Sequence, residues 1–533
     1  MQGTGTMGSR KNYRFMKGFW LTAVIVLGAV WAAYAITAPA VPSGSQRADL
    51  IVIDGLKAFG PLERPAVPFY HDKHTEAMAK LGKDCLACHQ EINDRLIPKF
   101  ERVEDADKQT VMDIYHDKCI TCHKETKTAD NPSGPVTCGQ CHVKEGAPPS
   151  SWQPIGLDKS LHYRHVKAND KKCETCHHAY NEKTKALFYD KGKEGACLYC
   201  HKDKTEENRI SNRLASHQAC LACHRKLTAN NKDGGPVQCA GCHDPLQQAM
   251  IEKLDDIPRM ERGQPDALLV KLYADEQRPD NPSVRMNAVP FDHKAHEGYN
   301  DSCRVCHHAE LTACASCHTI DGATEGKQVK LAQAMHQRNA DASCVGCHNQ
   351  EKEKPTCAGC HSSIPQSRSL AAEDSCKSCH LAPLKDNRMP TGDAAAAMAA
   401  ELLAARPSAT GTLSVDQIPE TVKIRKLSRE YEPADFPHRR IVLKLAELVR
   451  DSKLAEQFHG DVTTLCQGCH HNSPASVKPP QCASCHGKTS EALNLTRPGL
   501  MAAYHQQCIQ CHDKMGLEKP ATRECTSCHA KRK

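Results

Sequence analysis

The sequence predicts a mostly α-helical and irregular chain with few short strands, folded as tandem small repeats whose interiors are not filled by aliphatic side chains. Three observations lead there. Of 533 residues only 39% are hydrophobic and 5% aromatic, too few for the three or four ordinary cores such a length would carry. The chain holds 32 Cys and 31 His. Those residues recur in clusters of similar internal order, the mark of a repeat.

All 32 Cys fall into sixteen Cys-x-x-Cys-His motifs, with none left over. The pairs are Cys85 with Cys88, Cys119 with Cys122, Cys138 with Cys141, Cys173 with Cys176, Cys197 with Cys200, Cys220 with Cys223, Cys239 with Cys242, Cys303 with Cys306, Cys314 with Cys317, Cys344 with Cys347, Cys357 with Cys360, Cys376 with Cys379, Cys466 with Cys469, Cys482 with Cys485, Cys508 with Cys511 and Cys525 with Cys528. They are closed by His89, His123, His142, His177, His201, His224, His243, His307, His318, His348, His361, His380, His470, His486, His512 and His529. Cys-x-x-Cys-His is the attachment signal of c-type haem. On a helical turn, positions i, i+3 and i+4 share a face. Two thiols can then form thioethers with the haem vinyl groups while the imidazole lies under the iron. A disulfide framework would not demand His after every second Cys. Paired zinc knuckles could supply four ligands, again without a His in every case. A thioredoxin-like motif needs a strand–helix setting that is absent here. The reading is sixteen covalent haems, about one per 31 residues of the mature chain, whose faces replace the missing core.

Residues 1–35 read as an export signal. Arg10, Lys11, Arg14 and Lys17 precede an apolar run from Phe19 to Ala35 that ends in Ala33-Tyr34-Ala35. The alternative is an uncleaved anchor, since the run sits at the lower edge of a spanning length. c-type haem is attached after export, so the expected compartment is the periplasm. The formal charge of +7 includes those four cations. Haem propionates would take the mature chain to about −13 with all irons ferric and about −29 with all ferrous. Its many Lys then read as propionate partners and docking patches, with no nucleic acid as partner.

The clearest repeat opens with His162-x-x-His165. His178 directly follows its first motif, and His217 precedes its third. Four motifs and four extra His suffice for four six-coordinate haems. This order resembles the class III cytochromes c, the tetrahaem cytochrome c3 family of sulfate-reducing bacteria. The resemblance implies tandem c3-like domains with haem-filled cores. It also implies the pairings His162 with His177, His178 with His201, His165 with His224, and His217 with His243. The unit at 293–361 repeats the order, implying His293 with His307, His308 with His318, His296 with His348, and His336 with His361. The first unit is a trihaem version: His71 with His89, His74 with His123, and His116 with His142. There Gln90 stands where a His follows the first motif in the other units. The expected domains are 36–150 (trihaem), 151–250 (tetrahaem), a linker at 251–290, 291–365 (tetrahaem), 366–435 (an extra haem and a spacer) and 436–533 (tetrahaem). The spacer carries an Ala-rich helical stretch around 393–405. Leu268 to Val270 and Val422 to Leu427 suggest short strands.

The last unit breaks the pattern. It has four motifs, with His471 after the first and His505 before the third, but its opening reads His438-Arg439-Arg440-Ile441. Ile441 stands where the second His belongs and cannot ligate iron. By family order the haem at His512 loses its partner, which makes fifteen bis-His haems and one five-coordinate haem. Met501, Met515 or His459 are alternative ligands. His459 is expected to serve the extra haem at His380; alternatively it serves the haem at His470, leaving His438 for His380. Fifteen free His cannot close sixteen haems in any arrangement.

The resemblance extends to the large sixteen-haem members of the family. It implies a periplasmic carrier that takes electrons from hydrogenase or tetrahaem cytochrome c3 and passes them to membrane-bound redox subunits in sulfate respiration. No catalytic constellation is legible. The rival reading is a reductase that uses the open haem on a small substrate such as nitrite.

Overall fold

The computed structural model describes residues 47–93, 95–128, 133–144, 149–271, 286–362, 364, 376–381, 390–406, 414–425, 430–489 and 497–532. The expected export signal lies outside these residues. Contacts divide the chain into two units, Met1–Gly156 with Asp203–Lys253, and Leu157–Lys202 with Leu254–Lys533. Residues of the second repeat therefore belong to both. Each unit consists of helices, 3₁₀ turns and irregular chain. Among the described residues the only sheets are five two-stranded antiparallel ladders.

In the first unit, Leu50–Ile53 pairs with Val67–Tyr70, which runs directly into the helix His71–Lys80. β-branched and aromatic residues suit the ribbon, and a two-stranded edge tolerates Pro68. The second unit uses the same join twice. Ala267–Val270 pairs with Val289–Asp292, which leads into His293–Tyr299. Val422–Ile424 pairs with Ala434–Phe436, one residue ahead of His438–Arg450. Of the two suggested strands, Leu268 to Val270 is present, and the second is seen over Val422–Ile424, with 426–427 outside the described residues. The helix Lys159–Ala168 starts instead on Asp158, whose carboxylate accepts the Leu161 N–H at 2.7 Å, satisfying one of the free amides of the first turn.

Three longer helices share one design: Lys108–Glu125, Asn212–Ala229 and Leu500–Lys514. Each carries a His three residues ahead of a Cys-x-x-Cys-His motif: His116 before Cys119, His217 before Cys220, and His505 before Cys508. That spacing sets the imidazole and the first thiol on one helix face. A single rigid rod thus serves two sites.

Aliphatic packing is local. Leu96, Ile97 and Val111 are buried in the first unit. In the second, Ala267, Leu269, Ala288 and Ala399 form a small cluster, with Met398, Leu402 and Leu403 packed against it. This cluster joins the 267–292 hairpin to the helix Gly392–Ala404, the Ala-rich stretch of the spacer. Small side chains let the helix lie flat on the hairpin, and Ala399 is fully buried. Among the described residues no helix is long and apolar enough to cross a membrane.

Leu269→Ala should remove the largest aliphatic side chain of this cluster and cost about 2–5 kcal/mol. Thermal unfolding should show the loss, and hydrogen exchange should rise along Gly392–Ala404 while the other helices stay protected.

Candidate functional site

The imidazoles face each other in pairs at a nearly constant separation. In the first unit the ring centroids are 6.2 Å apart for His71/His89, 6.0 Å for His74/His123, 6.3 Å for His116/His142 and 6.1 Å for His217/His243. In the second unit they are 6.2 Å for His162/His177, 5.9 Å for His178/His201, 6.3 Å for His293/His307, 6.5 Å for His296/His348 and 5.8 Å for His308/His318. Further along that unit they are 6.4 Å for His438/His470, 5.8 Å for His471/His486 and 6.1 Å for His505/His529. Two more pairs, His336/His380 and His361/His459, both stand at 6.0 Å. In every pair one ring closes a Cys-x-x-Cys-His motif and the other does not. The separation holds while the interplanar angle runs from 12° to 90°. Ring contact would couple distance to tilt. A shared atom between two ring nitrogens would not, and an iron about 2 Å from a nitrogen of each ring sets the centroids roughly 6 Å apart. The donor set therefore fits haem iron with two axial imidazoles.

The motif thiols reach these sites on two kinds of turn, a correction to the single helical turn that the spacing suggests. None of the 32 Cys is in a disulfide. Cys122 and Cys223 lie within the long helices Lys108–Glu125 and Asn212–Ala229, and Cys200 ends the short helix Cys197–Cys200. Cys176, Cys317 and Cys485 instead close 3₁₀ turns. Their backbone N–H groups donate to the carbonyls of Cys173, Cys314 and Cys482 at 3.1–3.3 Å. The His that follows each of them donates to the same carbonyl at 2.8–2.9 Å, so the imidazole regains α-helical spacing. Residues i and i+3 eclipse in a 3₁₀ turn, which keeps both thiols on one side in either form. The protein's own side chains leave Cys122, Cys176, Cys200 and Cys485 exposed and Cys223 and Cys317 half-buried. Such thiols suit attachment to a group that brings its own covering surface. Elsewhere protein packing closes in, and burial pushes the Cys360 and Cys508 thiols up to about 11.

The second ring nitrogen is tied down. A neutral imidazole has one N–H, and a partner for Nδ1–H leaves the Nε2 lone pair free for metal. On the helices, Nδ1–H donates to the carbonyl four residues back: His74 to Tyr70, His165 to Leu161, His217 to Arg213, His296 to Asp292 and His336 to Ala332, at 2.7–2.8 Å. Motif His reach further. His123 donates to Pro135, His142 to Pro65, His224 to Pro236, His470 to Pro480 and His486 to Pro498, at 2.7–2.9 Å. These prolines were not singled out from the sequence. Their signal was available: Pro135, Pro236 and Pro480 stand two or three residues ahead of the next motif, and proline offers a carbonyl with no N–H of its own. At Gly134 a Cβ would meet His123 Cε1 at 2.4 Å, so the loop that carries Pro135 approaches through a glycine.

Burial disfavours the charged form of His74 and His217 and so favours their neutral, metal-binding form. It pushes His361 down to about 4, with neighbouring His459 and Lys352 adding to the fall. His71 is the exception. Burial lowers it, but Asp72 and the Cys239 thiol raise it to about 10 overall. The thiol contribution disappears once Cys239 is a thioether. Asp72 is buried, accepts the backbone N–H groups of Cys239 (3.2 Å) and Ala240 (3.0 Å), and donates its own backbone N–H to Asp49, which Arg47 bonds in turn. His71, Asp72 and Cys239 thus mark where two motif sites abut, and both outer residues already have roles there.

Two expected pairings are corrected. His336 faces His380, not His361, and His459 faces His361, not His380 or His470. The reason is the course of the chain after the third repeat. The helix Pro355–His361 packs on Leu500–Lys514, where a Cβ on Gly359 would lie 2.8 Å from Cys511 Sγ and 2.7 Å from Met515 Sδ. The Cys357 motif is thereby carried into the last repeat, next to His459. The Cys376 motif turns back instead: His380 Nδ1–H donates to the Asn287 carbonyl at 2.7 Å, just ahead of the third repeat's opening strand. The extra motif is Cys357-to-His361.

His165 and His224 fall in different units. His512 faces no imidazole among the described residues. The expected alternatives for it are placed elsewhere: His459 faces His361, Met515 packs between Cys511 and Gly359, and Met501 is 61% exposed. Ile441 is half-buried on His438–Arg450, three residues after the opening His, the spacing at which His74, His165 and His296 follow His71, His162 and His293.

Four segments, 51–142, 145–243, 271–380 and 437–532, match the Class III cytochrome C family. The third includes the Cys376 motif. The chain is 43% identical over 530 residues to the high-molecular-weight cytochrome c of Nitratidesulfovibrio vulgaris, covering 96% of this chain and 97% of that one. Among solved structures it resembles the sixteen-heme cytochrome from Desulfovibrio gigas, with a TM-score of 0.81 and 37% identity over 91% of this chain and 100% of that one. It also resembles the high-molecular-weight cytochrome c of Desulfovibrio vulgaris (Miyazaki F), with a TM-score of 0.74 and 43% identity over 93% and 100%.

The corrected pairing has a direct test. In a chain lacking the Cys376 haem (Cys376→Ala with Cys379→Ala), adding His459→Ala should still create one new high-spin ferric signal in electron paramagnetic resonance. No new signal would return His459 to His380.

Proposed function

Because the chain belongs to the class III cytochrome c family, and so is a multihaem electron-transfer protein, we propose that it is a periplasmic electron carrier of sulfate respiration. It takes electrons from hydrogenase, directly or through tetrahaem cytochrome c3, and delivers them to membrane-bound redox subunits. It carries sixteen haems c, fifteen with two axial His and one, at His512, with an open sixth position.

One observation carries the reading: the facing imidazole pairs recur along both units with a single separation. In such a site the haem supplies one-electron exchange at iron. The protein's residues do the rest. Paired Cys would fix the macrocycle covalently, and the Nδ1 tethers described above hold their rings in the ligating tautomer. Two imidazoles on one iron lack the Met ligand that raises potential in other cytochromes c. Low potentials suit electrons that originate from hydrogen. Loading the chain with propionates makes it anionic, and Lys-rich patches then guide the docking of partners.

A reductase reading is supported only by the lone His512. Its motif keeps the ordinary His at the attachment site.

With hydrogen, hydrogenase and tetrahaem cytochrome c3, the protein should be reduced fully with no turnover of added nitrite; fast nitrite consumption would favour the reductase. The oxidised protein should show one high-spin haem per chain and bind one carbon monoxide when reduced. Ile441→His should abolish both signals. Their persistence would mean that His512 is not the haem this position serves.

A further inference from the structure

Most of the tethers described above end on a neutral carbonyl. His293 differs. Its Nδ1 lies 3.0 Å from the Pro265 carbonyl oxygen and also 3.0 Å from Oε1 of Glu297, one turn along the same helix. Asp72 beside His71 is not comparable: at 3.8 Å it is beyond hydrogen-bond range, and its oxygens are taken by the Cys239 and Ala240 amides.

Glu297 is held from its other side. Arg259, in the segment between the second and third repeats, donates from Nε to Oε2 (2.6 Å) and from Nη2 to Oε1 (3.1 Å). This is a two-pronged grip with more geometric definition than a single ion pair. Arg259 also bonds Asp266, which Lys294 bonds at 3.2 Å. Glu297 and Arg259 side chains are 22% and 20% exposed, so water screens the arrangement only in part. Gripped on both oxygens by a guanidinium, Glu297 faces His293 as a carboxylate.

A carboxylate on the far nitrogen makes a ligating imidazole a stronger donor. A stronger axial donor favours ferric over ferrous iron, and hydrogen bonding in this shell is one of the levers by which protein sets haem potential. The site has a particular place in the second unit. The carbonyl of His307, the ring partner of His293, accepts the phenol O–H of Tyr199 at 2.7 Å, and Tyr199 lies inside the Cys197-to-His201 motif. The haem in question is where the second repeat's chain meets the third.

We propose that Glu297, gripped by Arg259, sets the reduction potential of the haem attached at Cys303 and Cys306, holding it below the value that a carbonyl-tethered imidazole would give. The event concerned is one electron added at iron, with the His293 Nδ1 proton retained throughout and no bond broken. Arg259 moderates the effect by drawing carboxylate charge away from the imidazole. Glu297 and Arg259 are positioning residues: they act through His293. The proposal rests on His293 being the axial ligand opposite His307.

The test uses the full holoprotein at pH 8, in redox titrations followed at the haem absorbance and read as variant minus wild type. Glu297→Gln keeps the shape and a hydrogen-bond acceptor but removes the charge, and should move one haem's share of the absorbance to higher potential. Arg259→Gln leaves the carboxylate wholly to His293 and should move the same share lower. Asp266→Asn, which touches Arg259 but not His293, should move it less than either. Opposite signs for the first two variants support the proposal, since a merely structural role would move both the same way. Equal signs, no shift, or a larger shift in Asp266→Asn overturns it. His293→Ala separately checks the premise by adding one high-spin ferric signal; if it adds none, the ligation fails and the proposal with it.

Discussion

An imidazole that must present Nε2 to a metal has to place Nδ1–H elsewhere, and much of the local chain follows from that requirement. An unsatisfied buried N–H is costly, and most of these rings have an acceptor aimed at their back; His438, whose buried Nδ1 has none, is an exception. The opening helices supply one internally, the carbonyl four residues earlier, as at His74 and His296. The motif His sit at the end of a turn and cannot, so the chain brings a later or distant carbonyl to them. Proline is repeatedly the residue that does it, and a glycine clears the way at His123. The loops between motifs, which look arbitrary as sequence, are tether geometry.

The same requirement explains how a chain with so little aliphatic packing keeps a defined shape. Buried hydrophobic side chains form small local groups, such as Ala267, Leu269, Ala288 and Ala399. The remaining order is imposed by covalent attachment at the Cys pairs and by opposed imidazoles. Because helices such as Asn212–Ala229 hold an imidazole for one site and thiols for the next, adjacent sites are mechanically one object. A shift that would spoil one spoils both.

Much of this was legible in the residues themselves. Cys-x-x-Cys-His states its own chemistry, the His-x-x-His openings mark repeats, and the hairpin strands at 267–270 and 422–424 showed in their short apolar stretches. The local form of each motif was not legible, because three residues from Cys to Cys fit a 3₁₀ turn at Cys176 as well as a helix at Cys122. Nor could the direction in which a motif faces be read. His336 precedes both His361 and His380, and one-dimensional order favours the nearer. The choice is made in three dimensions, by Gly359 admitting Cys511 and Met515 and by Asn287 capturing His380. The role of Glu297 was likewise hidden, because a Glu four residues after a His on a helix is ordinary until its other oxygen is seen to be held from a separate segment.

The pairing of His361 with His459 closes a loop of about 100 residues around the whole spacer. A haem fixed at Cys357 and Cys360 and ligated from the far side acts on the chain as a disulfide does, by restricting the unfolded ensemble. Loop-closure entropy grows only with the logarithm of length, about 0.6 kcal/mol per doubling. Length is therefore cheap to change between the anchored elements of that loop: residues inserted between the Cys376 motif, the helix Gly392–Ala404 and the strand Val422–Ile424 would alter the closure entropy little, while the elements themselves are held by their own contacts.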